Sequence, residues 1–293
     1  VDLAPIATHK SIHLHRSMLQ QEYRFLRHLE ALGARCIPRL LGYFDSETSE
    51  RTAQHNYLVT SRLGPSLNEL LQFCGNQLSL RTLCLLTIRL LDALEEIHER
   101  DVVHGNVSPT NIVMGWNKAL CGPSRDVFLI NFAHARFFRD PRTHRPTNTS
   151  ATPSTVERAR KHNEFLSFCS TFVQKKCTAA PRDDVIALGY VLCYLFHGGL
   201  PWTKRSNPQQ RLNVTELVRE KTAYLDTLQR TPPIQLHYFL KSGYALRQGE
   251  IPDYRYLKSL VTKMMEEKRW LNDGIFDWTP KLLSEEPCRI DAQ

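Results

Sequence analysis

The sequence predicts an α+β chain of two lobes: a small mixed lobe of few strands and one helix, then a large, mainly α-helical lobe. Short runs of strand character cluster before residue 63, around one amphipathic helix. From residue 64 onward most apolar patterns have helical period, with one long helix buried along a wide face at residues 80–97 and another, at residues 184–197, apolar on nearly every side. Few strands followed by many helices is an α+β order. The hinge is expected at residues 62–66, so residues 1–63 form a partial N-lobe and residues 64–293 a helical C-lobe of one domain.

In chain order, residues 1–15 are ambiguous: residues 1–7 suit an edge strand, where Pro5 is tolerated. His9, His13 and His15 cluster there, and they read as exposed loop histidines rather than a metal site, which needs a convergent fold and usually a further ligand. Leu19, Tyr23, Leu26 and Leu29 recur at helical spacing over residues 17–32, and Gly33 stands where a helix stops. Residues 36–44 make a turn and short strand, residues 45–54 a polar hairpin loop, and residues 57–60 the returning strand. Ser66, with Glu69 three residues on, reads as a helix cap, and Ser79 as another. Residues 80–97 place Leu83, Leu86, Leu90, Leu94 and Ile97 on one face of a buried helix. Val102 and Val103 form a short strand before His104, and residues 127–130 another before Asn131. Residues 139–164 turn polar and irregular, with a Ser/Thr/Pro-rich mobile loop at 147–155 and a basic run at Arg158, Arg160, Lys161 and His162. Residues 184–197 are apolar on nearly every side, which makes that helix central to a core.

The composition is that of a globular protein, with 42% hydrophobic and 23% charged residues. No apolar run approaches the roughly 20 residues of a membrane helix, and no signal peptide is evident. A start at Val1 rather than Met suggests a fragment or processed form. The eight cysteines include no C-x-x-C pair, so reduced core thiols in an intracellular (cytoplasmic or nuclear) protein are expected rather than a zinc ribbon. The net charge of +8 suits an acidic partner. No stretch interleaves basic and aromatic residues, so a nucleic-acid partner is not expected.

The chain also carries an ordered set of short motifs: Leu63-Gly64-Pro65-Ser66-Leu67, Phe73-Cys74, Leu78-Ser79-Leu80, Arg139-Asp140-Pro141-Arg142-Thr143-His144, Arg182-Asp183-Asp184, Leu188-Gly189-Tyr190, Leu200-Pro201-Trp202, Pro252-Asp253-Tyr254 and Phe276-Asp277-Trp278. Around them His104-Gly105-Asn106-Val107-Ser108-Pro109-Thr110-Asn111 has the spacing of an H-R-D-…-N loop, and Asn131-Phe132-Ala133 that of D-F-G. Together these residues resemble the protein kinases, and specifically the casein kinase 1 family, from about Glu22 to Trp278. Each motif alone is weak, and their common order makes the resemblance specific. It implies a bilobal protein-kinase-like fold.

The resemblance also assigns roles, and the letters depart from them. The catalytic base would be residue 106, but Asn106 is a neutral amide that cannot accept a proton. The lysine that steadies the transferring phosphate is replaced by Ser108, and the arginine before the base by Gly105. Asn111 keeps the second metal-ligand position, whereas the metal-binding Asp is Asn131, which lacks the charge of a strong magnesium site. Ala133 replaces a Gly and loses easy access to positive φ. Ser167 stands where an arginine would read a phosphorylated substrate. Glu22 matches the helix Glu that pairs a strand Lys, for which Lys10 is the one lysine candidate and Thr8 the better register. No G-x-G-x-x-G occurs, so that loop lies upstream or is gone. Phe132 is expected to pack between the lobes. Asp184 takes the position that anchors the catalytic loop through backbone N–H groups and His104.

These substitutions point to a casein kinase 1-like pseudokinase, a binding, regulatory or scaffolding module without phosphotransfer. No catalytic residue is expected to be active, no metal is expected, and no cofactor, with ATP–magnesium as the alternative ligand. A protein partner is expected, either a related active kinase or an acidic protein, and no membrane. The competing reading is a weak or unconventional serine/threonine kinase using ATP, since loss of general-base help alone costs roughly 10²- to 10⁴-fold. A third, an unrelated basic helical protein, is disfavoured by the order of the motifs.

Overall fold

In the computed structural model residues 6–7, 16–45, 56–117, 122–147, 162–203 and 213–284 are described. His9, His13, His15, Lys10, Thr8, the polar loop at 46–55, most of the Ser/Thr/Pro loop and the basic residues 158–161 lie outside them.

The small lobe is a three-stranded antiparallel sheet of order β1-β3-β2 (β1 Ile6–Ala7, β2 Leu40–Asp45, β3 Asn56–Thr60), accompanied by helix α1 Arg16–Ala31. The apolar stripe of α1 is its packing face: Phe25, Leu26 and Leu29 are buried. Gly33 ends the helix segment in the left-handed region at φ 72°, where the absence of a Cβ removes the usual penalty.

Residues 61–65 lead into α2 Leu67–Phe73 and α3 Leu80–His98. Both caps act as their sequences suggest. Ser66 and Glu69 form a capping box on α2, and the Ser79 side chain accepts from Thr82 N–H at the start of α3. Ser79 is also tied across the chain, donating Oγ–H and N–H to the Asp277 carboxylate at 2.6 Å each. This explains why Phe276-Asp277-Trp278 belongs to the motif set: the C-terminal strap closes over the start of α3.

Short paired strands frame the loop regions: β4 Val102–Val103 with β7 Arg136–Phe137, and the hairpin β5 Ile112–Asn117 with β6 Gly122–Leu129. The helices α4 Asn163–Phe168, α5 Thr171–Gln174, α6 Pro181–His197, α7 Val214–Leu228, α8 Ile234–Ala245, α9 Tyr254–Glu267 and α10 Trp278–Ser284 complete the large lobe. The central helix α6 begins three residues earlier than its apolar run suggests, because Pro181 is suited to the first helical turn and Asp183 accepts from Ala180 N–H at 2.8 Å. Its residues Val185 to Leu188 and Tyr190 to Cys193 are buried. Glycines let α6 and α8 approach closely: a Cβ on Gly189 would lie 2.6 Å from Leu240, and one on Gly243 would lie 2.8 Å from Ile186.

The result is a mixed chain with a small strand-bearing lobe and a large helical lobe, the layout of a kinase-like fold. The six described cysteines are all free, and four of them are buried. Among the described residues no helix is long and apolar enough to cross a membrane.

Candidate functional site

The site is built on the buried carboxylate of Asp184, which α6 projects at the loop after β4. Its Oδ2 accepts His104 N–H at 2.7 Å and its Oδ1 accepts Gly105 N–H at 2.8 Å. His98, on the last turn of α3, adds a third bond from Nε2 to Oδ2 at 3.0 Å. The other His98 nitrogen, Nδ1, meets the Tyr254 hydroxyl. With Nε2 donating to the carboxylate and Nδ1 accepting from the phenol, neutral His98 satisfies both partners. Tyr254, buried beside these groups, has its phenol pushed up chiefly by loss of solvent.

His104 is likewise turned inward. Its Nε2–H donates to the Ile130 carbonyl at 3.0 Å, its Nδ1 accepts Asn106 N–H at 3.2 Å, and its ring stands edge-on to Phe132 at 4.7 Å. Burial lowers its imidazole pKa, outweighing the pull of Asp184. Both ring nitrogens are used and the residue is fully buried, which is the environment of a scaffold histidine rather than of a proton shuttle. The expected anchoring of the loop N–H groups and His104 by Asp184 takes a specific form here. It is the His104 backbone that meets the carboxylate, while the imidazole on it belongs to His98, which no motif in the sequence marks.

Three amides follow in a chain. Asn131 Nδ2 donates to Asn111 Oδ1 at 3.1 Å, and Asn111 Nδ2 donates to the Asn106 carbonyl at 2.9 Å. Asn131 sits in the left-handed region at φ 67°, ψ 58°, a conformation Asn tolerates better than most residues. The positive φ therefore falls at Asn131. Ala133, which the sequence marks as a lost glycine, lies in the 3₁₀ turn Phe132–His134 and needs no such freedom.

Gly105 has a role its sequence position did not disclose. It adopts φ 73°, and a Cβ there would come within 2.7 Å of the His134 carbonyl oxygen. A larger residue, arginine included, would have to push that backbone away.

At the far side of the loop, Ser108 Oγ donates to Glu164 Oε1 at 3.2 Å, and the Thr110 hydroxyl contacts the same oxygen. Glu164 opens α4, so a carboxylate stands beside Ser108. Ser167 in the same helix is buried and donates to the Asn163 carbonyl at 2.8 Å.

The helix α1 reaches the site as well. Phe132 N–H donates to Glu22 Oε1 at 3.3 Å, and Gln21 Nε2 donates to the Ala135 carbonyl at 2.8 Å. Glu22 thus meets the backbone of the Asn131-Phe132-Ala133 segment. Phe132 is completely buried, and Arg62 stacks its guanidinium on Trp116 at 4.5 Å. Among the described residues no group of three His, Cys, Asp or Glu could hold a metal ion.

A buried cation also escaped the sequence reading. Lys221 of α7 is fully buried, with Nζ donating to the carbonyls of Leu166 at 2.8 Å and Cys169 at 2.6 Å, and facing the rings of Tyr190 and Trp202. It ties the end of α4 to the core. Its place in an otherwise solvated run, Arg219-Glu220-Lys221, hid this role.

No protein-family model matches the chain. Over 283 residues it is 28% identical to casein kinase I homolog 3 of Saccharomyces cerevisiae, covering 91% of this chain and 51% of that protein. The chain thus spans about half the length of this curated relative.

Proposed function

We infer that this chain, a casein kinase 1-like member of the protein kinase family, is a pseudokinase that serves as a protein-binding, regulatory or scaffolding module. The observation that carries this reading is the amide chain from Asn131 through Asn111 to Asn106. It occupies the loop with neutral groups that satisfy one another, where phosphoryl transfer requires a base and charge to hold metal-bound phosphates.

ATP with magnesium is the ligand implied by the fold family. The residues do not fit a magnesium site: Asn111 Oδ1 is already engaged by Asn131 Nδ2, and neither amide brings the negative charge that a hard cation prefers. Glu164 supports the same reading, since it places a carboxylate beside Ser108, where an anionic phosphoryl group would be repelled. Asp184, His98 and Gly105 meanwhile hold the loop in one backbone course. The expected partner is a related active kinase or an acidic protein, in keeping with the net charge of +8.

The test is phosphotransfer from magnesium ATP to casein. Transfer at background is expected, and robust activity that disappears in Asn106→Ala would overturn the proposal in favour of an unconventional serine/threonine kinase. Thermal denaturation gives an independent reading of nucleotide binding. A ligand at about 100 times its Kd stabilises by about 2.7 kcal/mol, and no shift with magnesium ATP is expected.

A further inference from the structure

A groove of about 760 Å³ runs between α3 and β6, roofed by the turn that carries Arg35 and Cys36, and shares no lining residue with the catalytic loop. Its apolar lining includes Cys36, Ala93, Val127 and Phe128. Among the described residues strand β6 pairs with β5 alone, so its other edge is available wherever nothing else covers it.

The hydrogen-bond pattern locates the opening. Ile130 N–H donates to the Asn111 carbonyl, on the β5 side, whereas Leu129 N–H turns the other way and donates to the Cys36 carbonyl at 2.8 Å. Antiparallel strands alternate in this way. Val127, opposite Met114 in register, therefore directs its N–H and C=O away from β5, as Leu129 does. Met114 confirms the alternation from the partner strand, because its N–H and C=O bond Pro65 and Gly64 rather than β6. On the far side of Val127 the register shifts, and the Arg125 carbonyl is taken by Arg89 Nε at 3.0 Å. Among the described residues the edge is thus bonded at Arg125 and Leu129 and unpaired at Val127, which lines the groove although the residue as a whole is 7% exposed.

Charge marks both ends of this opening. Arg125 and Arg35 are exposed, and no side-chain hydrogen bond or ion pair holds either guanidinium among the described residues. The stem of Arg125 packs over Gly274, where a Cβ would lie 2.5 Å from Arg125 Cδ. The acidic lining is mostly committed: Asp92 and Glu95 hold Lys258 at 2.5 and 2.6 Å. Glu96 accepts the N–H groups of Arg35 and Cys36, and Asp126 accepts from Ser124. Glu99 is left at the rim.

We propose that this groove docks an extended acidic segment of a partner protein, which adds to the β6 edge through two backbone bonds to Val127 and places acidic side chains on Arg125 and Arg35. Strand addition uses main-chain bonds for affinity and side chains for choice of partner. At about 3.3 Å per residue, carboxylates two positions on either side of the central residue flank it by roughly 7 Å, and the exposed Arg125 and Arg35 are lining cations whose guanidinium groups have no side-chain partner among the described residues.

The probe is a fluorescein-labelled pentapeptide, Glu-Thr-Val-Thr-Glu, titrated with the full chain and read by fluorescence anisotropy. Saturable binding below 1 mM is expected, weakening with added salt. N-methylation of the central valine, which removes one backbone donor, should weaken binding about three- to tenfold. Arg125→Glu and Arg35→Glu should each weaken it about fivefold or more, as reversing a charge at an interface does. Both arginines are exposed, and unchanged circular dichroism of the variants shows that the fold persists. Equal affinity for the N-methylated peptide, equal affinity for a Lys-Thr-Val-Thr-Lys peptide, or no saturation would overturn the proposal. Self-association abolished by Arg125→Glu without peptide binding would also overturn it, assigning the groove to a second copy of the chain.

Discussion

Substituting Asp184→Asn probes the anchor of the site. Wild-type Asp184 Oδ2 accepts two bonds, from His104 N–H and His98 Nε2, while Oδ1 accepts Gly105 N–H. An asparagine can keep the first two only by turning its NH₂ group toward Gly105 N–H, donor against donor. One charge-assisted bond is then lost, about 1.5–3 kcal/mol, and a buried N–H is left without an acceptor, about 1–3 kcal/mol. The retained bonds also weaken as the acceptor becomes neutral. The expected loss is about 3–5 kcal/mol, a large fraction of the 5–15 kcal/mol that typically holds a domain together. Urea denaturation followed by far-UV circular dichroism measures it. With a slope near 3 kcal/mol/M the midpoint should fall by roughly 1–1.7 M. A midpoint within about 0.3 M of wild type would show that the carboxylate does not hold the loop, and the account of His104 and Gly105 as scaffold would fail with it.

Other perturbations follow from the same geometry. Lys221→Met fits the aromatic surroundings but leaves the Leu166 and Cys169 carbonyls without their shared donor, and should cost about 2–4 kcal/mol in the same denaturation assay. Lys221 is pulled down to about 8 by burial, so in the unfolded chain it binds its proton up to a higher pH. The proton-linked part of its contribution, over and above those two bonds, should be present above pH 10.5 and be lost as pH falls through 8, seen as the change in the difference between wild type and Lys221→Met midpoints across that range. Asp183 has the opposite sign: burial pushes its carboxyl up to about 6, so its contribution is complete below pH 3.8 and disappears as pH rises through 6. Replacing it with Asn should flatten that part of the stability profile. Gly105→Ala should destabilise by about 2 kcal/mol or more, since φ 73° alone costs an L-residue about 1–2 kcal/mol and the new Cβ also meets the His134 carbonyl; a thermal midpoint equal to wild type would contradict the tight approach.

Much of the architecture was legible because it rests on local chemistry. The stripe of α1, the Ser66 and Ser79 caps, the long helix α3 and the apolar α6 each write their structure into residues a few positions apart. The pairing of β5 with β6 was not, because residues 112–117 sit between two motif segments and carry no distinct alternation. The start of α6 at Pro181 is not legible for a similar reason: Pro181, Arg182 and Asp183 look polar and irregular, although proline belongs in a first turn. In the site, the neutral letters at Asn106, Ser108 and Asn131 were visible at once, but their mutual bonding was not.

By itself, then, the amino-acid sequence determined which side chains the loop carries, neutral at Asn106, Ser108 and Asn131, and which helices form, since side-chain type and periodicity are properties of the chain before it folds. Tertiary structure alone decided that His98 joins Asp184 across 86 residues, that Gly105 lies against the His134 backbone, that Glu164 reaches Ser108 across 56 residues, and that Lys221 is a buried strut rather than a surface charge. Such contacts depend on three-dimensional approach between distant segments, and no spacing within one segment encodes them.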